Sequence, residues 1–584
     1  MREISDETDY IPLYLGVVGH RDIGDEQKPR LKLLIKQVLE EKKTQCPNTP
    51  IVVLTPLAEG ADRLAAHSAI ECGLSFIAIL PMPLDEYKKD FNTQESLKEF
   101  NDLLEKADYW FELPLQGDAK VLSLQSSKNR NEQYYNLGFH IARQSHMLIA
   151  LWDGNINNKR GGTAHIVNLK VTGMPAFHPY FKHRLKNLQT GPVCHILTPR
   201  KGEIHPPDAY GVKMIYGENP EKNKKSAEAD HQLLNNIDSF NRDIKKKREV
   251  FREKSELIQQ NHSNGDLILE ESKKFRLILR YHAITDILAT HFQSRRFFAL
   301  KVLLILAVIA FVFFQIYVEF WHKPLILLLY PITIGIGALW FIRANRKRFE
   351  QKHEDYRSLS EALRVQYYLS IIDKNINVSD YYLQKHKGEL EWVTYVLRAL
   401  HFKCTKYDAG SDNSHDMNSL NNCKFISEQW VKEQSRYYRM KGEYYDRHVK
   451  KLKHIANVLF IGAILAPVLL FLLGIFSERF SGSHAEEFHH FSHSILVLLT
   501  HSFLVISATI LGYNEKMIFE EQSKIYHQMF QLFSLADDKL SKAIDENNYE
   551  EAYEIIWELG LESLMENADW LILHRSRPME MPKG

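Results

Sequence analysis

Glycine turns with charged neighbours occur three times in the N-terminal part of the chain. They are Gly19-His20-Arg21, Glu59-Gly60-Ala61-Asp62, and Gly161-Gly162-Thr163-Ala164, the last after Trp152-Asp153. Glycine at a helix start lets the backbone approach a ligand, and the first-turn N–H groups, which have no partner within the helix, attract phosphate. Arg21 is suited to an anionic group, and Asp62 or Glu59 to ribose hydroxyl or base N–H donors. These turns predict a site for a nucleotide-derived ligand.

The elements that must position these turns are buried strands alternating with helices. Apolar runs predict strands at residues 11–20, 51–55, 76–80, 109–111, 148–152 and 193–197, with a helix over 133–145. Continuous apolar strands of this kind indicate a parallel sheet that is covered on both faces, in which ligands bind beyond the carboxyl ends of the strands. Any one turn has a structural alternative, because glycine serves tight turns after strands. All three should lie at one edge, which favours a shared site.

Composition limits the classes of function. A chain of 584 residues is expected to form two to four domains, and its net charge of +1 gives no reason to expect nucleic acid as a partner. The five cysteines are scattered without zinc-type spacing, which predicts reduced thiols in the cytosol, no metal site and no cofactor beyond the suspected signalling ligand. The polar N-terminus does not resemble a secretory signal.

Four apolar runs predict a multi-pass membrane protein. They lie near 297–318, 324–342, 455–476 and 494–512, and each has about the ~20 residues that a bilayer core requires. The alternative, buried helices of a soluble bundle, is disfavoured by the length and purity of the runs. Basic residues flank both hairpins on the same side, so both termini are expected in the cytoplasm and the chain in the inner membrane.

The first third of the chain resembles the SLOG superfamily of Rossmann-like domains. The resemblance covers about residues 10–200 and rests on Gly16–Arg21, Glu59–Ala65, Trp152–Gly154 and Gly161–Ala164. The superfamily includes sensors of nucleotide-derived ligands in bacterial conflict systems, and also LOG-type phosphoribohydrolases, which cleave nucleotide N-glycosidic bonds. The resemblance therefore implies a nucleotide-type ligand and leaves two outcomes, sensing or hydrolysis.

One departure from the enzymatic pattern favours sensing. The phosphoribohydrolases continue their glycine motif to a catalytic glutamate three residues after the threonine, whereas this chain has Ile166 at that position after Thr163. An aliphatic side chain can neither take a proton nor stabilise an oxocarbenium-like charge. We therefore expect binding without catalysis.

The second half resembles the SLATT family of membrane effectors that accompany SLOG or nucleotidyltransferase sensors. This resemblance covers about residues 270–580 and rests on Asp355–Gln366, Trp430–Tyr438 and Glu566–Pro578. It implies a pore-forming or membrane-disrupting output in antiviral or abortive-infection defence. A switch of this kind responds more sharply as a homo-oligomer, which we therefore expect.

The predicted organisation is an α/β domain followed by an all-α membrane module. A Rossmann-like parallel-sheet sensor is expected over 1–230, and a four-span module with cytoplasmic helices over 231–584. The leading hypothesis is a membrane effector gated by a nucleotide-derived signal. The alternatives are a membrane-anchored nucleotide N-glycosidase, which Ile166 disfavours, and a scaffold without a ligand, which the three turns disfavour. The predicted ligand-binding residues are Gly19, His20, Arg21, Glu59, Gly60, Ala61, Asp62, Trp152, Asp153, Gly161, Gly162, Thr163 and Ala164.

Overall fold

The structure is a computed structural model. It describes residues 9–115, 126–155, 160–173, 191–202, 211–216, 220–247, 273–382, 390–406, 420–477 and 483–578. The chain divides into two compact units. The first comprises Met1–Tyr281 with Asn377–Asp412, and the second comprises His282–Ile376 with Asn413–Gly584.

The first unit is built on a seven-stranded sheet. Its strands are β1 (Leu13–Gly19), β2 (Ile51–Thr55), β3 (Ser75–Leu80), β4 (Tyr109–Glu112), β5 (Met147–Trp152), β6 (Val193–Leu197) and β7 (Val212–Ile215). Their order is β4-β3-β2-β1-β5-β6-β7, and all neighbouring pairs are parallel except β6 and β7. The central β1 and β5 are almost wholly buried, as their continuous apolar sequences require. The predicted α/β class is confirmed.

Helices connect and cover these strands. They are α1 (Lys28–Gln45), α2 (Ala61–Glu71), α3 (Leu84–Lys88), α4 (Gln94–Lys106), α5 (Ser127–Gln144), α6 (Thr163–Thr172) and α7 (Pro220–Lys246). The chain builds outward from β1 to β4 and then returns through α5 to place β5 on the other side of β1. The order of strands therefore reverses between β1 and β5, and their carboxyl ends define the switch point at which open α/β sheets bind ligands.

Two features of this unit differ from the sequence interpretation. The sheet has an antiparallel edge strand, β7, within a stretch for which no strand was predicted, because its four residues are partly exposed and carry no buried apolar run. The unit also continues beyond residue 230, which lies inside α7, and includes α11 (Glu391–Thr405) from the second half of the chain.

The second unit is helical. Its helices are α8 (Lys273–Glu319, whose first turns belong to the first unit), α9 (Pro324–Arg346), α10 (Phe349–Ile372), α12 (Leu420–Ile426), α13 (Lys432–Ser477), α14 (Ser483–Lys516), α15 (Phe519–Asp545) and α16 (Tyr549–Arg575). The predicted apolar runs lie in α8, α9, α13 and α14, and four helical stretches are long and apolar enough to cross a membrane. Leu325 is 73% exposed and Leu339 is 70% exposed, as expected for side chains that face lipid.

The stretches Asp355–Gln366, Trp430–Tyr438 and Glu566–Pro578 contact each other in this unit. Asp355 on α10 pairs with Arg575 of α16, and Ser358 and Asn567 join the same two helices through a bond of 2.9 Å from the Asn567 amide to the Ser358 carbonyl. Trp430 is buried and stacks on Tyr368 of α10, with ring centroids 5.1 Å apart. Aromatic and charged residues of these stretches therefore join α10, α12–α13 and α16 outside the apolar runs.

Candidate ligand site at the carboxyl edge of the sheet

A cavity of about 380 Å³ opens at the switch point between β1 and β5. Residues after β1, β2, β5 and β6 surround it, together with the first turn of α6 and one face of α5. Nine of the predicted ligand-binding residues line it: Gly19, His20, Arg21, Asp62, Trp152, Gly161, Gly162, Thr163 and Ala164. The three glycine turns thus converge on one edge of the sheet.

The glycine turns after β1 and β2 are fixed by contact with each other. A Cβ atom on Gly19 would lie 2.3 Å from the Ala61 Cβ atom, so only glycine allows α2 to approach the end of β1 this closely. Gly60 has a φ of +80°, and a Cβ there would lie 2.5 Å from the carbonyl oxygens of His20 and Arg21. The Ala61 N–H group donates to the His20 carbonyl at 3.0 Å. Gly60 and Ala61 therefore position the site without lining it.

The first turn of α6 lines the cavity. Gly162 is the N-cap residue and supplies no side-chain cap, and Thr163 and Ala164 line the cavity. Gly161 has a φ of +78°, and its N–H group donates to His165 Nδ1 at 3.1 Å. Helix first-turn N–H groups carry the positive end of the helix dipole. This end of the cavity is therefore suited to an anionic group.

Three partly exposed arginines add positive charge around the same cavity. Arg21 lies over the Tyr134 ring at 4.8 Å, and Arg160 lies over the Tyr135 ring at 4.6 Å. Arg200, which follows β6, donates from Nε to Asp153 at 3.0 Å. Ring contacts and ion pairs restrict these side chains, which lowers the entropy cost of holding an anion.

A buried carboxylate lies in the same cavity. Asp62 is 7% exposed, and its Oδ1 atom has no hydrogen-bond partner among the described residues. Burial raises the pKa of Asp62 to about 7, against the opposing effects of Arg21 and a backbone hydrogen bond with Ala58. A buried polar atom without a partner is costly, and a ligand that donates a hydrogen bond to it would remove that cost.

His20, directly after β1, acts as a hydrogen-bond acceptor at the edge of the cavity. Burial lowers the pKa of His20, and Arg200 lowers it further, while Asp153 has the opposite effect. Its Nε2 atom accepts from the Asp153 backbone N–H at 3.1 Å, which ties the end of β1 to the end of β5. The Asp153 side chain is itself held by Arg200, so Asp153 supports the site from behind and is not part of its lining.

Ile166 lies three residues after Thr163, at the position where a hydrolase of the expected type would carry glutamate. It is buried and lines the cavity, and a Cβ atom on Gly138 of α5 would lie only 2.6 Å from its side chain. The close fit of α5 against α6 therefore depends on a glycine facing an aliphatic residue. A carboxylate at this position would be placed against the backbone of α5.

Some of the predicted site residues lie beside the cavity, and some residues that line the cavity were not predicted. Glu59 bonds to Ser96 at the start of α4 and does not line the cavity. Arg160 and Arg200 were missed, although a basic residue beside a glycine turn and one after a strand end are both recognisable signals. Tyr87, Asn131 and Tyr134 also line the cavity, but ordinary polar residues on helices give no such signal.

No protein-family profile matches the chain, and no curated protein matches it. In the part of the chain that the structure describes, no group of three or more His, Cys, Asp or Glu residues could hold a metal ion. The chemistry of the cavity must therefore be argued from its own residues.

Proposed function

We propose that this protein is a membrane effector gated by a nucleotide-derived signal, with a pore or a disrupted membrane as its output. The observation that carries the proposal is the composition of one cavity. The first turn of α6 and three arginines supply positive charge, and Asp62 supplies a buried carboxylate. A ligand with an anionic part and a hydrogen-bonding polar part fits this arrangement.

A nucleotide-derived molecule satisfies both halves of the cavity. Its phosphate would lie at the first turn of α6 between Arg21 and Arg160, and a ribose hydroxyl or base N–H would donate to Asp62. The cavity volume of about 380 Å³ falls within the range of roughly 300–1,000 Å³ for small-molecule sites. Tyr134 and Trp152 also line the cavity, and aromatic side chains there would contribute apolar contacts to a base.

The four apolar helices supply the output. They support insertion in a membrane, which we propose to be the bacterial inner membrane, with both termini in the cytoplasm. The biological role that follows from the SLOG and SLATT resemblances is antiviral or abortive-infection defence. The ligand shifts the module between closed and open states only by its difference in affinity for the two states.

A second function has one observation in its favour. Asp62 has a pKa of about 7 in a cavity, which is the property of a general acid or base, so a membrane-anchored nucleotide N-glycosidase is the alternative. Against it, Ile166 stands at the position of the catalytic glutamate and is packed against Gly138. We therefore favour binding of the ligand without hydrolysis.

The test uses purified full-length protein. Mass spectrometry of the small molecules that copurify should find a nucleotide-derived compound, and the Arg21→Ala variant should lose it. Incubation with nucleoside monophosphates should release no free base. Release of base that disappears in Asp62→Ala would assign the hydrolase instead, and absence of both bound compound and hydrolysis would reject a nucleotide site.

A further inference from the structure

The start of β1 is held by a helix from the second half of the chain. The Tyr395 hydroxyl on α11 accepts from the Tyr14 N–H at 3.1 Å and donates to the Pro12 carbonyl at 3.1 Å. Tyr395 is buried, and beside it the Phe402 ring packs edge-on against the Tyr14 ring at 5.0 Å. One hydroxyl thus satisfies a donor of the central strand and the acceptor of the residue just before it.

The first turns of α8 hold the residues just before β1. Arg280 pairs with Asp9 at 2.7 Å, and the Tyr281 hydroxyl donates to the Tyr10 carbonyl at 3.0 Å. The Lys403 ammonium group of α11 donates to the same Tyr10 carbonyl at 3.1 Å and to the Tyr281 hydroxyl at 3.1 Å. Helices α8 and α11 therefore meet on the segment 9–14.

Both helices are continuous in sequence with the membrane module. Helix α8 runs on to Glu319 and contains the first apolar run, whereas α11 lies between the second and third apolar helices. Both helices that contact residues 9–14 therefore connect along the chain with apolar helices.

The other end of β1 reaches the ligand cavity. Its last residue, Gly19, lines the cavity together with His20 and Arg21. Seven residues of strand span about 20 Å. Helix α5 also connects the cavity with the region of α11. Its Leu137 and Ile141 line the cavity, and its Arg143 pairs with Asp380 in the segment just before α11.

We propose that β1 and α5 carry ligand occupancy from the cavity to α11 and α8, and that Tyr395 is the positioning residue that fastens α11 to β1. This inference rests on the proposed function. A second cavity of about 120 Å³ lies against Tyr395, with Lys170 and Arg398 in its lining, so α11 has room to shift on that side. The central strand thus connects the site to the two segments that continue into the membrane helices.

The test compares hydrogen exchange in full-length protein without ligand. Tyr395→Phe keeps the ring but leaves the Tyr14 N–H and the Pro12 carbonyl without their partner, so the Tyr14 amide should exchange roughly ten- to a hundredfold faster. Exchange at Gly19–Asp22, at the far end of β1, should also rise by about threefold or more if coupling is present. Asp62→Asn, a change in the cavity, should reciprocally alter exchange along α11.

The matched control is Thr405→Val on the same helix. The Thr405 hydroxyl bonds to the Phe402 carbonyl within α11, so exchange in the cavity should stay as in the wild type. Asp380→Asn, which removes the pair with Arg143, is the second test variant should Tyr395→Phe fail to fold. Changes confined to the neighbourhood of each substitution would overturn the proposal.

A membrane readout separates this inference from the proposed function. Full-length protein in vesicles of phosphatidylethanolamine and phosphatidylglycerol should leak potassium at a rate that differs by about threefold or more between Tyr395→Phe and Thr405→Val. Equal leak rates in an active preparation would contradict transmission through Tyr395. Absence of leak from every variant would reject the pore, and the exchange experiment would still decide the coupling.

Discussion

Replacing Asp62 with Asn should stabilise the unliganded protein in a pH-dependent manner. The pKa of Asp62 rises from 3.8 to about 7 because the carboxyl group is buried. Between these values the folded protein binds more protons than the unfolded chain, so the free energy of unfolding falls as pH rises through this window. This rise in the pKa corresponds to a loss of up to ~4 kcal/mol in the free energy of unfolding. The loss is fully present above about pH 7, where the Asp62 carboxyl group is ionised.

Asn has nearly the same shape and no charge, so the variant escapes this penalty. The difference in stability between Asp62→Asn and the wild type should therefore be up to ~4 kcal/mol larger at about pH 8 than at about pH 4. At roughly 2 °C per kcal/mol for a unit of this size, the melting temperatures should separate by up to about 8 °C more at the higher pH. Comparing the two pH values cancels any effect of the substitution on packing.

The assay is thermal unfolding of full-length protein in detergent at both pH values, with Asp22→Asn as the control. Asp22 lines the same cavity, but its side chain is 54% exposed, so its substitution removes a carboxylate that carries no comparable burial cost. An Asp62→Asn shift that does not grow with pH would refute the claim that this carboxylate is buried at a cost. The same variant should bind the copurifying ligand more weakly, since stability lost at a site is commonly exchanged for function.

Three further results are expected. Arg21→Ala removes a charge-assisted contact worth typically ~1.5–3 kcal/mol, so calorimetry with the identified ligand should show roughly a ten- to hundredfold loss of affinity; unchanged affinity would remove Arg21 from the site. Gly60→Ala should lower the melting temperature far more than Gly73→Ala, because both glycines have positive φ but only at Gly60 would a Cβ meet backbone oxygens at 2.5 Å, whereas Gly73 has nothing within 4 Å; equal effects would contradict this reading. A cysteine at Ser483 should be labelled from the outer side of the membrane, and labelling only from the cytosol would reverse the topology.

The local pattern of the sequence was sufficient to predict the strand and the glycine turn that begin the site. The apolar run of β1 and the glycines that follow it predict both the strand and its turn, because these features depend on neighbouring residues. The sequence could not decide which carboxylate faces the cavity. Asp62 and Glu59 lie on the same turn, and the choice depends on Ser96, which bonds Glu59 from a different helix.

Contacts between distant residues left no local signal. Tyr14 and Tyr395 are 381 positions apart, and neither periodicity nor turn chemistry connects a helix between two apolar runs with the first strand of the chain. Arg200 does follow a strand end, which is a local signal, but its place in this cavity depends on β6 lying beside β5. Hydrophobic patterning predicts which face of an element is buried, but the identity of the partner comes from the fold.

The energetics of the proposed gating give a physical reason for the homo-oligomer expected from the sequence. Shifting a two-state module from about 1% to about 99% open requires a difference in ligand binding free energy of about 5.5 kcal/mol, or roughly 10⁴-fold in affinity. A single cavity would have to supply that difference from a few contacts at Arg21, Asp62 and the first turn of α6. If about four subunits switch together, each site needs only about a tenfold preference, or about 1.4 kcal/mol, which is the scale of one charge-assisted hydrogen bond. In the proposed effector, a modest movement of β1 at each site would then be enough, and the steepness of the response would come from the coupling of the membrane modules.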